Sequence, residues 1–383
     1  MKRSILFLLM VLLAPAIKAQ TDSSQLRISL LTIGPGHEEI YEPFGHTAIR
    51  IIDTLNGTDL VYNYGTFSYG EPNFELKFMQ GKLLYYISVS SFNGFMDEYV
   101  ESGRKAEEQV LQLGGKEKEE IYAFLQYNLQ PGQKYYKYDF FFDNCATRIR
   151  DIFPKVFGEA FRYGPTLPPG AKISFRDIIN QYLYREHFER FGINLLLGSR
   201  IDRYMSDEDV MFLPDYLRDG MANAMTGTQK VAGPTEVLLE GGAPPPAGVN
   251  GGFVAMIIVL VLTAAGLMVR RLHSLGRVMQ ALVMLVNGLL GCLMLVMWFG
   301  TDHQACQENL NILWALPTSL LIAFRRKRVE KYAFIAMILL FVSFLLHLLG
   351  IQKLPLTELW PWLLSLLLIY GTIYRNAKKE DAA

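Results

Sequence analysis

The 383 residues carry 37 Lys and Arg against 37 Asp and Glu, a formal net charge of zero. A phosphate-tracking protein usually has a basic excess, so this balance excludes nucleic acid as the main partner. With 51% hydrophobic and 19% charged residues the chain is too apolar for an ordinary soluble protein, and three cysteines are too few for a disulfide framework or a zinc module.

A basic start, Met1-Lys2-Arg3, an apolar run over 5–13 and small residues up to Ala19 have the layout of a secretory signal spanning 1–19. Ile17 is bulky for the cleavage pattern, which leaves an uncut anchor as the alternative. Either form exports the next segment, a domain spanning 20–225. Its first half reads as strands at 26–33, 46–52, 60–64, 83–89 and 108–113, with Asn56-Gly57 as a hairpin signal between the second and third. Helical periodicity appears at 95–102, 116–128, 145–157, 175–185 and 207–224. Strands early and helices late predict an α+β fold. Residues 226–252, with Gly241-Gly242-Ala243 and Pro244-Pro245-Pro246, read as a linker.

Five apolar stretches come next, at 253–269, 278–299, 310–324, 332–351 and 359–374, and predict a transmembrane domain of five helices over 253–375. Pro317 and Pro361 mark the third and fifth as the weak ones. Basic residues collect after the first (Arg270, Arg271, Arg277), the third (Arg325, Arg326, Lys327, Arg328, Lys331) and the fifth (Arg375, Lys378, Lys379), whereas the alternate loops hold only Lys353. That asymmetry puts the tail, 376–383, in the cytoplasm and the soluble domain outside it, as the signal also requires. A multi-pass membrane protein with its soluble domain outside the cytoplasm is the expectation.

The chemistry concentrates in YYKYDFFFDNCATRIRDIF, residues 135–153. Asp143 and Asn144 are good helix N-caps, which puts Cys145 in a first helical turn, where the dipole stabilises a thiolate. Arg148 adds to that effect and Asp143 opposes it. A lone cysteine is more often a buried apolar residue. Its one non-cytoplasmic partner, Cys306, sits on a short membrane loop that disfavours a disulfide. A cysteine nucleophile needs a base, and His46, directly after Gly45 at a strand start, is the best placed; His37 is the reserve.

The stretches PFGHTAIRI (43–51), YNYGTFSY (62–69), YDFFFDNCATRIRD (138–151) and MFLPDYL (211–217) together resemble the periplasmic domain of Lnb, the lipoprotein N-acyltransferase family of Bacteroidota. The resemblance covers about 26–219, and the membrane tail is consistent with it. It implies a permuted papain-like (NlpC/P60-like) domain, in which the histidine precedes the cysteine, with Cys145 as nucleophile and His46 as general base. Asn63 is the choice for the group that orients His46, with Tyr64 and Asn73 as other occupants. Tyr64, Tyr138, Asn144, Arg148 and His37 are the candidate lining of a substrate pocket. The implied reaction moves an acyl chain from a phospholipid donor to the α-amine of a diacylglyceryl-lipoprotein acceptor through a Cys thioester. It requires no cofactor and no metal. Two rivals remain at this level, a membrane-anchored cysteine peptidase or amidase and a non-catalytic binding module.

Overall fold

The computed structural model describes residues 25–323 and 329–381, so the signal segment and Arg325 to Arg328 lie outside the described residues. The early chain folds into a seven-stranded antiparallel sheet. Its strands are β1 (Leu26–Ile33), β2 (His46–Asp53), β3 (Thr58–Thr66), β4 (Leu84–Ser91), β5 (Ala106–Leu111), β6 (Tyr135–Lys137) and β7 (Ala232–Leu239), in the order β7-β5-β1-β2-β3-β4-β6. The Asn56-Gly57 hairpin forms as expected: the Asp53 carboxylate accepts from the backbone N–H groups of Leu55 and Asn56, and Gly57 takes φ 62°. β1 is buried on both sides because helices cover both faces of the sheet. On one face α2 (Phe92–Glu101) packs Phe95 and Tyr99 over Leu31, Ala48 and Val61. On the other, α3 (Gly115–Asn128), α4 (Cys145–Arg150) and α5 (Ile152–Phe157) close a core with Ile28, Leu30, Ile49, Tyr62 and Tyr64. The domain is α+β.

Three local expectations change, each for a physical reason. The predicted helix over 145–157 is two helices, because Pro154 has no N–H for the Arg150 carbonyl and its ring would clash there. The predicted helix over 207–224 breaks likewise at Pro214, which opens α8 (Pro214–Ala222) after α6 (Phe175–Tyr182) and α7 (His187–Leu196). The linker is shorter than 226–252, since β7 lies inside it and pairs with β5. Composition hid β7: its outer residues are exposed at a sheet edge, so it lacks the apolar run of a central strand.

Among the described residues four helices, not five, are long and apolar enough to cross a membrane: α9 (Gly251–Met268), α10 (His273–Phe299), α11 (Glu330–Leu348) and α12 (Leu356–Asp381). The third apolar stretch is instead a broken path of short helical turns at Leu310–Leu313 and Ser319–Ile322 around Pro317. Non-helical backbone is tolerated at membrane depth only where protein satisfies it. Asn287 of α10 does so, donating to the Trp314 carbonyl at 3.0 Å and accepting from the Trp362 indole at 3.1 Å. Gly288 and Gly291 let this path close on α10, since a Cβ at Gly291 would lie 2.0 Å from the Ala315 carbonyl oxygen. Periodicity could not separate this segment from a helix because its apolar content is that of a span.

The soluble domain rests on the bundle. The turn after α10 meets it through Asp302, whose N–H donates to the Gln80 carbonyl, and through Gly198, which donates to the Ala305 carbonyl at 2.8 Å. The turn after α11 meets it through Lys353, paired with Asp177, and Gln352, which donates to the Leu197 carbonyl. Arg190 of α7 pairs with the buried Glu358 of α12.

Candidate active site

His46 opens β2. Its predecessor Gly45 takes φ 75°, and a Cβ there would lie 2.6 Å from the Ile33 carbonyl oxygen, so only glycine lets the chain turn into the strand at this point. The antiparallel register of β2 and β3 ends at Ile49 against Tyr62, so His46 and Asn63 lie just past it at the same end of the two strands. Alternation puts His46 on the face of Ala48 and Asn63 on that of Val61, which is one face, within side-chain reach. The His46 ring nitrogen Nε2 donates to Asn63 Oδ1 at 2.6 Å. That bond fixes the ring and leaves Nδ1 for the thiol. Tyr64 points to the opposite face, where it is buried among core residues with its ring 6.4 Å from that of Tyr136.

Cys145 arrives from that opposite face. Helix α4 packs beneath the sheet, and its first residue comes up at the ends of β2 and β3, where Gly65 carries no side chain. A Cβ on Gly65, which sits in a bulge at φ 93°, would meet Cys145 Cβ at 3.7 Å, the Tyr138 ring at 3.8 Å and the His46 ring at 3.9 Å. The glycine is thus the floor on which thiol and imidazole meet. A capping box sets the start of α4: Asn144 accepts from the Thr147 N–H at 2.9 Å and the Thr147 hydroxyl accepts from the Asn144 N–H at 2.8 Å. The Asn144 amide also donates to the carbonyls of Phe140 and Phe212, both at 2.8 Å, which ties the helix start to two loops.

Burial pushes the Cys145 thiol up, but the His46 ring beside it and the backbone N–H groups of Thr47 and Ala146 more than offset this, leaving the thiol below its ordinary range. Burial correspondingly pulls His46 down. The Cys145 charge and the hydrogen bonds that the ring donates to Cys145 and Asn63 hold it above its ordinary value instead. Both directions favour the thiolate–imidazolium form of the pair relative to an isolated cysteine and histidine.

Cys145 and His46 lie in a cavity of about 510 Å³, within the ~300–1,000 Å³ common for small-molecule sites. Its lining is mainly apolar and aromatic, including Phe44, Tyr85, Tyr138, Phe140 and Leu213, and the Tyr138 ring stacks on Tyr85 at 4.4 Å. One wall comes from the bundle: His303, Gln304, Ala305 and Cys306 of the turn after α10. Cys306 and Cys145 share the cavity as free thiols, and burial pushes Cys306 up to about 12, the opposite direction from Cys145.

The candidates from sequence divide cleanly. Cys145, His46, Asn63, Tyr138 and Asn144 come together at the cavity, and Asn144 is also the cap of α4. Tyr64 is a core residue. Arg148 turns away, making a two-pronged pair with Asp143 at 2.6 and 2.7 Å and covering the Tyr136 ring, so the opposing charges proposed to tune the thiol largely cancel one another. His37 is outside the cavity, 3.0 Å from Glu186. Asn73 takes φ 58° at the start of α1 (Phe74–Met79) and does not line the cavity. Sequence reasoning missed Gly65, although a glycine inside a strand pattern signals a bulge or a close approach. It also missed the bundle wall, for which no local signal exists.

Residues 14–169 match the family described as the Lnb N-terminal periplasmic domain, and residues 250–381 match the Lnb transmembrane domain. The two matches cover about three quarters of the 383 residues. No curated protein and no solved structure matches the chain.

Proposed function

Because the chain belongs to the Lnb family, a membrane protein with a periplasmic N-terminal domain, we propose that it is a lipoprotein N-acyltransferase working through a Cys145 acyl-enzyme. The observation that carries this reading is the Cys145, His46 and Asn63 cluster, set in an apolar cavity with a wall donated by the membrane bundle.

The Cys145 thiolate attacks the ester carbonyl of a membrane phospholipid. The tetrahedral oxyanion takes a hydrogen bond from the Cys145 backbone N–H, one of the unpaired donors of the first turn of α4. Collapse breaks the ester C–O bond, and His46 passes its proton to the departing lysophospholipid alkoxide. The free α-amine of an S-diacylglyceryl-cysteine then attacks the thioester. His46, now neutral, accepts the amine proton, the C–S bond breaks and the thiolate is restored. Asn63 keeps Nε2 occupied, so that Nδ1 serves both half-reactions. The apolar lining holds the chain and keeps water from the thioester, which would otherwise hydrolyse. The histidine-before-cysteine order fits a permuted papain-like arrangement.

The same reading includes an inner-membrane location, an export signal over 1–19 and a cytoplasmic C-terminus. It is supported by the bundle ends: Asp302 and Lys353 touch the soluble domain, while Arg270, Arg271, Arg277, Lys331 and Arg375 belong to the alternate ends. Intact-mass analysis of the purified protein in phospholipid vesicles tests the chemistry. One acyl mass on the Cys145 peptide, released by hydroxylamine, is expected. A cysteine that stays unmodified while envelope peptides are cleaved would replace this reading with the peptidase.

A further inference from the structure

The short helix α1 buries none of its residues. Leu76, Phe78 and Met79 are exposed, and so are Ile40, Tyr41 and Tyr69 on the adjoining loops. Four of these six, Ile40, Tyr41, Tyr69 and Phe78, also line the Cys145 cavity, so its rim is an apolar surface open to the outside. Such a patch beside a cavity mouth marks an interaction site.

The position in which the bundle holds this patch identifies its cover. Helix α10 ends at Trp298 and Phe299, stacked at 4.9 Å, a pair of the kind found at a membrane boundary. Three residues on, the Asp302 N–H donates to the Gln80 carbonyl at 2.8 Å, and the His303 ring contacts the Phe78 carbonyl at 3.2 Å. Lys137 of β6 adds an ion pair to Asp302 at 2.6 Å. Three residues of chain reach at most about 11 Å. The end of α1 is therefore tied within about 11 Å of the end of a span, next to a headgroup layer about 5–8 Å deep. Phe74 fixes the helix to the body by packing its ring on Phe67 and Tyr69 at 5.8 and 5.0 Å, so the outward residues cannot turn inward.

The geometry points to α1 and the Ile40, Tyr41 and Tyr69 rim as a lipid-docking portal: they sit in the outer boundary of the bilayer, and an acyl chain passes between them to Cys145 without crossing water. The occupant is the acyl region of a phospholipid bilayer. The passage of a donor chain rests on the acyl-transfer reading, whereas the docking does not.

The test uses the full-length protein in phosphatidylethanolamine and phosphatidylglycerol vesicles doped with a phospholipid carrying a diazirine on its acyl chain. After irradiation, peptide mass spectrometry should find adducts on Phe74–Met79 well above those on Leu55, an exposed apolar residue at the far hairpin. Equal labelling at the two places overturns the docking. Leu76→Asp with Met79→Asp should slow acyl-enzyme formation from vesicles by about tenfold or more, while iodoacetamide still alkylates Cys145 within about twofold of wild type. Unchanged vesicle acylation overturns the portal. A wild type that labels at α1 but never forms an acyl-enzyme upholds the docking and removes the acyl-transfer reading.

Discussion

Asn63→Ala isolates one bond in the cluster. Asn63 Oδ1 accepts from His46 Nε2 at 2.6 Å in either charge state of the ring, so its effect is the difference between the two. A hydrogen bond to a charged group contributes about 1.5–3 kcal/mol and a neutral one about 0.5–1.5. The bond thus favours imidazolium over imidazole by about 1–1.5 kcal/mol, and through it the Cys145 thiolate over the thiol. Its loss should cut the thiolate population about 5- to 13-fold wherever the thiol is mostly protonated. The assay is the rate of Cys145 alkylation by iodoacetamide against pH, read by intact mass. The wild-type profile should rise below the ordinary thiol range, since His46 holds the thiol down. The variant profile should lie below it at low pH, shift to higher pH and meet the wild type once both thiols are ionised. A loss of equal size at every pH would mean that Asn63 controls access or folding instead, and overlapping profiles would remove it from the cluster.

Further outcomes rest on the same geometry. His46→Ala removes the strongest influence lowering the thiol and leaves burial opposed by the Thr47 and Ala146 N–H groups, so the alkylation profile should move to higher pH, farther than in Asn63→Ala. Gly65→Ala forces a Cβ onto φ 93° and should cost about 1–3 kcal/mol in thermal unfolding; an unchanged midpoint would contradict the bulge as described. Asn144→Ala removes a cap and strands one buried and one part-buried carbonyl, so about 2–3 kcal/mol should be lost together with Cys145 reactivity. Arg190→Met leaves the buried Glu358, among the described residues, with a side-chain bond from Asn250 alone and should lower stability by about 3 kcal/mol, read in detergent as a drop in the unfolding midpoint.

Cys145, His46 and Asn63 were legible because each is announced locally: a cap pair before the cysteine, a glycine before the histidine, a polar residue in an aromatic strand. The alternation of β3 left Asn63 and Tyr64 equivalent until the register with β2 placed one toward His46 and the other in the core. Arg148 was misjudged because a charge one turn along a helix shows nothing of its partner, and here Asp143 takes both prongs. The broken third stretch and the strand β7 share another cause. Each depends on a neighbour distant in sequence, Asn287 and Gly291 for the one and β5 for the other, which no local pattern encodes.

The most direct measurement is mass spectrometry of a model lipoprotein's N-terminal peptide from cells lacking their own N-acyltransferase. Cells carrying this protein should show one added acyl mass on the α-amine, and cells carrying its Cys145→Ala form should show none. A free amine in both contradicts acyl transfer to lipoproteins, and an acylated amine in both contradicts Cys145 as the group that carries the chain.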